Sequence, residues 1–157
     1  MVHWIMLNSD IEHYFQQMPC LEKHFMGVYS IDNFPKKIKL RSFFVSNLSK
    51  SSEPGTHWIS IVRSEPKTIE IFDSLGTKID YLRPYLKFSN NPNILYNNAA
   101  FQTSTSSTCG LFAVMFLIER SFNFDLKYNA LLAEIFDTSP EINEQIVVDF
   151  FKTHFPS

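Results

Sequence analysis

The sequence predicts an α+β fold in which a small, mostly antiparallel sheet packs against helices. Its elements run in the order helix, strands and then helices, without the regular alternation that builds parallel sheets. Two segments carry most of this prediction: a β-hairpin over 58–72 and an uncharged apolar run over 110–118, which is typical of a buried helix.

The chain length indicates a single domain over residues 1–157, since 157 residues can bury a core without disulfides or metals. The net charge of −2 is not typical of a dedicated nucleic-acid-binding protein. One local basic cluster indicates a solvated loop or strand edge more readily than a nucleic-acid contact. It consists of Lys36, Lys37, Lys39 and Arg41.

The cysteine content indicates a reducing compartment, because two cysteines do not make a disulfide framework. The first seven residues lack the basic start and apolar core of a signal peptide, and no apolar run reaches the ~18 residues of a membrane span. We expect an intracellular protein, in the nucleus or the cytoplasm, that does not bind a membrane. No cysteine and histidine cluster suits zinc, and no cofactor is expected.

The first third of the chain predicts one helix followed by weaker elements. Ser9 and Glu12 have the spacing of a capping box and predict a helix from about Asp10 to Met18. Residues 25–35 are interpreted as an irregular connection. Residues 39–47 alternate weakly and predict a strand.

The hairpin is the clearest β signal. After a serine-rich surface loop over 47–55, residues 58–63 and 68–72 are rich in β-formers, and a turn over 64–67 separates them. The remaining predictions are a short helix over 79–86, a strand at 94–96, and helices at 109–122, at about 128–136 and after Ser139–Pro140.

Cys109 lies where the apolar helix should begin, after four small hydroxyl residues. Free N–H groups and the positive end of the helix dipole favour a thiolate there, and the same N–H groups could stabilise an oxyanion. The alternative interpretation is a small cysteine that packs as an apolar residue.

A cysteine nucleophile needs a base and a residue that orients the base. His57 stands at the start of the first hairpin strand and Asp73 at the end of the second, so the two should lie roughly opposite each other. Each residue also has a plainer interpretation, a half-buried strand-end histidine and a turn former. The other four histidines have no special surroundings.

Gln102 precedes Cys109 by seven residues on a loop rich in serine and threonine. Its amide could join the backbone N–H of Cys109 in an oxyanion hole. The alternative is an ordinary polar loop residue.

The order histidine, aspartate, glutamine and cysteine resembles the adenovirus-type cysteine endopeptidases, or adenains, which share a clan with the SUMO-specific proteases. The resemblance covers roughly Ser9–Arg120. Its motifs are Gly55–Thr56–His57–Trp58, Ile71–Phe72–Asp73–Ser74–Leu75–Gly76, Gln102 and Cys109–Gly110–Leu111–Phe112. The resemblance implies an adenain-like fold with His57 as base, Asp73 as orienting residue, Gln102 as oxyanion donor and Cys109 as nucleophile.

Details favour the viral branch of this clan, because SUMO proteases usually have aspartate where this chain has Thr108 and place the glutamine one residue closer. The chain departs from adenains at Asp73, where they commonly carry glutamate. It also lacks a cysteine over 90–100 for a disulfide-linked activating peptide. Activation by a peptide or by DNA therefore stays an open expectation. These differences would fit a protein from a DNA virus or from a Maverick/Polinton-type element.

The resemblance implies an endopeptidase that cuts viral or virus-like structural precursors at glycine-containing sites, in the host nucleus or cytoplasm or inside a virion. Two alternatives stay open. One is a protease specific for SUMO or ubiquitin-like proteins. The other, of a different class, is an inactive protease fold kept as a binding or capsid-associated protein.

Overall fold

The computed structural model describes residues 6–49, 52 and 57–156. Five strands and five α-helices make up this part of the chain. The strands are β1 (Phe25–Ser30), β2 (Phe43–Asn47), β3 (Trp58–Glu65), β4 (Thr68–Phe72) and β5 (Asn93–Tyr96). The helices are α1 (Asn8–Gln16), α2 (Pro19–Glu22), α3 (Cys109–Phe122), α4 (Tyr128–Ile135) and α5 (Pro140–His154). Much of the loop predicted over 47–55 and most of the first seven residues lie outside the described part.

The strands form one sheet in the order β1-β2-β3-β4-β5. The central pairs β2–β3 and β3–β4 are antiparallel, whereas the outer pairs β1–β2 and β4–β5 are parallel. The sheet is therefore mixed rather than mostly antiparallel. The antiparallel prediction is correct for the central strand pairs. It is wrong for the outer pairs, because sequence patterns do not show in which direction the edge strands join the sheet.

Both faces of the sheet are covered. In β3, Trp58 and Val62 belong to the apolar cluster that contains α3, whereas Ile59 and Ile61 belong to a second cluster on the opposite face. This alternation follows from the two-residue period of a strand. The second cluster also holds Phe34 and other apolar side chains of the segments that cross this face.

Helix α3 is the central helix, and its bounds agree with the prediction. Every residue from Gly110 to Ile118 is buried, because α3 contacts β3 on one side and α1, α4 and α5 on the others. Ser60 of β3 donates a hydrogen bond to the carbonyl oxygen of Ala113 at 2.7 Å. The N-terminus of α3 is thereby fixed against the sheet.

The first strand differs from the sequence prediction, which interprets residues 25–35 as an irregular connection. Gly27 has φ +121°, and the pairing of β1 with β2 shifts between Phe25 and Val28. Such a bulge breaks the alternation by which a strand is recognised. Strand β2 is also shorter than the predicted 39–47, because Arg41 adopts a left-handed conformation with φ +62°.

The starts and ends of the helices differ in detail from the predictions. Helix α1 begins at Asn8, and the carboxylate of Asp10 accepts the N–H of Leu7 at 2.7 Å, so the capping box predicted from Ser9 is not formed. Helix α5 begins as predicted, with Ser139 accepting the N–H of Ile142. The helix predicted over 79–86 consists of two 3₁₀ turns, Ile79–Tyr81 and Arg83–Tyr85.

Candidate active site

His57 and Asp73 meet at one end of the hairpin. Nε2 of His57 lies 2.6 Å from Oδ1 of Asp73, and both residues are buried. The register pairs Phe72 with Ser60, so the two residues are diagonal neighbours rather than directly opposite. Diagonal positions on one face of a sheet stay within reach of long side chains.

Hydrogen bonds hold both the carboxylate and the backbone of Asp73. Oδ1 accepts the N–H of Leu75 at 2.9 Å, and Oδ2 accepts that of Thr77 at 3.2 Å. The side chain of Asn97 accepts the N–H of Asp73 at 2.8 Å and donates to its carbonyl oxygen at 2.6 Å. Burial opposes ionisation, but the hydrogen bond and charge of His57 outweigh it and lower the pKa of Asp73.

Gly76 permits the tight turn that follows Asp73. Its φ is +64°, and a Cβ at this position would lie 2.8 Å from the backbone carbon of Ala99. A glycine is therefore needed for both the conformation and the close approach of the two backbones. This approach brings the chain leading to Gln102 alongside the turn after Asp73.

Cys109 is the first residue of α3, and its thiol lies close enough to His57 to interact with the imidazole. Burial opposes the thiolate, but the hydrogen bond to His57, the N–H of Trp58 and the N–H of Gly110 together lower the pKa of Cys109. Burial likewise opposes the imidazolium, yet the hydrogen bonds to Asp73 and Cys109 raise the pKa of His57 to about 9. These opposite shifts favour a thiolate–imidazolium pair, the reactive form of a cysteine nucleophile.

Gln102 is buried between the turn after Asp73 and the loop before Cys109. Its Oε1 accepts the hydroxyl of Ser74 at 2.6 Å, and its Nε2 donates to the carbonyl oxygen of Ser106 at 3.1 Å. A carbonyl oxygen only accepts, so the NH₂ group must face Ser106 and the amide orientation is fixed. The structure thus joins His57, Asp73 and Cys109 directly, and connects Gln102 to them through Ser74 and this loop.

Ser74 and Asn97 were not singled out from the sequence. Ser74 follows Asp73 directly, and that position was the only available signal. Asn97 directly follows β5, and its contacts with Asp73 depend on the parallel pairing of β4 with β5, which no local pattern indicates.

Away from these residues lies a basic groove of about 620 Å³, lined by residues that include Lys36, Lys37, Lys39, Arg63 and Lys67. Two of these basic side chains donate hydrogen bonds to backbone carbonyl oxygens and so have a structural role. Lys36 donates to the carbonyl oxygen of Tyr85 at 2.6 Å, and Arg63 donates to that of Ile38 at 3.0 Å. Cys109 and His57 do not line this groove, so it is not the candidate active site.

Within residues 6–49, 52 and 57–156, no group of histidine, cysteine and acidic side chains is arranged to bind a metal ion. In the same part of the chain, no helix combines the length and apolarity required to cross a bilayer.

The chain is similar to known proteases. It is 26% identical to the protein named Protease of Bovine adenovirus 7, in an alignment that covers 82% of this chain and 77% of that protein. No family model matches the chain.

Similarity to solved structures concerns the fold. The ASFV pS273R protease superposes with a TM-score of 0.53 at 18% identity, covering 91% of this chain, which spans 66% of that protease. This match confirms the predicted α+β fold class. The C-terminal Ulp1 protease domain, solved with the yeast ortholog of SUMO, gives a TM-score of 0.35 at 16% identity over 70% of this chain, too low to add to the assignment.

Proposed function

We propose that this chain, an adenain-like cysteine protease by its similarity to the adenovirus protease, is an endopeptidase in which Cys109 is the nucleophile and His57 the base. The similarity confirms the predicted relationship and enzyme class. The observation that carries the residue assignment is the 2.6 Å hydrogen bond between Asp73 and His57, with the thiol of Cys109 close enough to the same imidazole for its pKa to be lowered by it. A nucleophile, a base and an orienting carboxylate in this arrangement suit acyl transfer.

The proposed reaction begins when the Cys109 thiolate attacks the scissile carbonyl carbon and its oxygen becomes an oxyanion. The backbone N–H of Cys109 and one N–H of Gln102 stabilise this charge. Nε2 of Gln102 lies 3.1 Å from the carbonyl oxygen and 3.0 Å from the hydroxyl of Ser106, so the mechanism requires one N–H to serve Ser106 and the other to turn to the oxyanion. His57 then donates its proton to the leaving amine. A water molecule, deprotonated by His57, hydrolyses the acyl-enzyme and releases the second product.

The proposed substrates are viral or virus-like structural precursors that are cut at glycine-containing sites. Similarity to an adenovirus protease and the adenain-like motifs around His57 and Cys109 support this class. We place the reaction in the nucleus or cytoplasm of a host cell or in a virion, with residues 1–157 as one protease domain. Activation by a peptide or by DNA belongs to the same proposal and is tested with it.

The deciding experiment measures hydrolysis of a fluorogenic Leu-x-Gly-Gly peptide by wild type, Cys109→Ala and His57→Ala. The matched control is Cys20→Ala, since Cys20 is the second cysteine and is exposed. We expect activity in wild type and Cys20→Ala and loss in the other two variants. Activity that survives Cys109→Ala would overturn the mechanism.

Two further outcomes would redirect the assignment. Rapid labelling of Cys109 by SUMO or ubiquitin carrying a C-terminal electrophile, without peptide hydrolysis, would favour a protease of ubiquitin-like proteins. A wild type that stays silent on all peptides, with DNA and candidate activating peptides added, would favour an inactive binding protein.

A further inference from the structure

Glu144 of α5 lies against the loop that connects Gln102 to Cys109. Its Oε1 accepts the hydroxyl of Ser106 at 2.5 Å and the N–H and hydroxyl of Thr103, each at 3.2 Å. Its Oε2 accepts the hydroxyl of Thr108 at 2.6 Å. One carboxylate thus receives hydrogen bonds from three residues of a six-residue loop.

The protons in this network have a defined direction. Ser106 Oγ and Thr108 Oγ1 also lie 2.8 Å apart, where either could donate to the other. Each is closer to an oxygen of Glu144, and a hydroxyl has a single proton, so the carboxylate is the favoured acceptor of both protons. The lone pairs of Ser106 Oγ then remain free, and Nε2 of Gln102 donates to this atom at 3.0 Å. The hydrogen bonds from Ser106 and Thr108 to the Glu144 carboxylate are charge-assisted, and such bonds are about twice as strong as neutral ones.

The network reaches both groups that would stabilise the oxyanion. Through Ser106 it holds the NH₂ group of Gln102, whose other end is held by Ser74. Through Thr108 it holds the residue directly before Cys109, whose N–H is the second donor. Thr108 makes no side-chain cap on α3, because its hydroxyl is directed to Glu144.

The adjacent residue of α5 supports the same function. Asn143 is fully buried, and its Nδ2 donates to the carbonyl oxygen of Phe101 at 3.2 Å. Helix α5 therefore holds the chain immediately before Gln102 as well as the loop after it. Both residues lie beyond the region that resembles the adenains.

We propose that Glu144 is a positioning residue that aligns both oxyanion donors, the Gln102 amide and the Cys109 N–H, by fixing the hydroxyls of Ser106 and Thr108. This role rests on the proposed protease function. Oxyanion donors act through placement, and a misplacement of about 1 Å can cost about 10²-fold in rate. Alkylation of Cys109 by iodoacetamide forms no oxyanion and does not need this alignment.

The test compares peptide hydrolysis with iodoacetamide alkylation in Glu144→Ala, Glu144→Gln and the matched control Glu141→Ala, an exposed acidic residue of the same helix. We expect Glu144→Ala to lower kcat by about 10²-fold with KM and the alkylation rate of Cys109 nearly unchanged. Glu144→Gln retains one acceptor oxygen and should lose less. Glu141→Ala should resemble wild type.

A double-mutant cycle separates positioning from a structural role. In a Gln102→Ala background, Glu144→Ala should cost much less than in wild type, because one of the two donors it aligns is already absent. If Glu144→Ala does not fold, Ser106→Ala provides the same comparison.

Unchanged kcat in Glu144→Ala would overturn the inference and leave the proposed function intact. The inference would also be overturned if Glu144→Ala lowered the hydrolysis rate and the alkylation rate by the same factor and lowered the thermal stability as well, because that result would indicate a structural role alone. A wild type without peptidase activity would refute the proposed function itself, and the positioning role would be refuted with it.

Discussion

Nε2 of His57 lies 2.6 Å from Oδ1 of Asp73, and the same carboxylate accepts the backbone N–H groups of Leu75 and Thr77. Asp73 is thus held from several directions while it contacts one ring nitrogen of His57. The other ring nitrogen is left for Cys109. The geometry matches what an orienting carboxylate provides, namely a fixed ring and a defined tautomer.

Asp73→Asn should lower kcat by about 10²-fold or more, because the ring loses its orientation and its charge partner. The hydrogen bond to Asp73 also raises the pKa of His57, so the alkaline limb of the pH profile should move to lower pH. Peptide hydrolysis from pH 5 to 10 measures both effects. Asp80→Asn, at an exposed aspartate, is the control, and an unmoved alkaline limb in Asp73→Asn would contradict the assigned role.

The wild-type enzyme should show a bell-shaped dependence of kcat/KM on pH. The pKa of Cys109 is lowered, so the thiolate forms and activity rises at a pH below the ordinary range of a thiol. The pKa of His57 is raised to about 9, so above that pH the ring has no proton for the leaving amine and activity falls. A single ascending limb that follows an unperturbed thiol would contradict the ion pair.

Gln102→Ala should lower kcat by about 10²–10³-fold, the usual cost of removing one oxyanion donor. The alkylation rate of Cys109 by iodoacetamide should stay near the wild-type value, because the nucleophile is intact. Both rates are measured on the same preparations. Gln17→Ala, at an exposed glutamine after α1, is the control, and equal losses in both assays would show that Gln102 only supports the fold.

A buried ion pair provides a separate prediction about stability. Arg120 of α3 donates from Nε and Nη2 to the two carboxylate oxygens of Glu70 of β4, at 2.9 and 2.6 Å, and both side chains are buried. Glu70→Ala leaves the Arg120 charge buried without its partner and should cost roughly 3–5 kcal/mol in the free energy of unfolding.

Urea denaturation measures this cost. The matched control is Asp80→Ala, which removes a largely exposed Arg–Asp pair and should change the free energy of unfolding by less than about 1 kcal/mol. Similar losses in the two variants would show that the Glu70–Arg120 pair does not hold α3 on the sheet.

Local patterns predicted the elements that carry their own signals. The apolar run after Cys109 predicted α3 with its observed bounds, and the alternation over 68–72 predicted β4. Strand β1 was missed because Gly27 introduces a bulge that hides the alternation. The parallel outer pairings were missed because they depend on long connections that leave no mark in the strands themselves.

The candidate site divides in the same way. His57, Asp73 and Cys109 could be predicted to approach each other, because strand ends and a helix start are local features. Glu144 could not be predicted, because it reaches the loop before Cys109 only after α5 has packed on α3. The contacts of Glu144 are set by the tertiary structure. In the sequence, Glu144 looks like any half-buried polar residue of a helix.

The two cysteines allow the most direct test of the central claim that His57 activates Cys109. Wild type is treated with a limiting amount of iodoacetamide at pH 6, and peptide mapping by mass spectrometry measures the alkylated fraction of each cysteine. Cys20 is exposed, whereas Cys109 is partly buried, so accessibility alone favours Cys20. We predict that Cys109 reacts first, that peptide hydrolysis is lost in proportion to its alkylation, and that His57→Ala removes this preference. Faster alkylation of Cys20 in wild type, or a Cys109 preference that survives His57→Ala, would contradict the account.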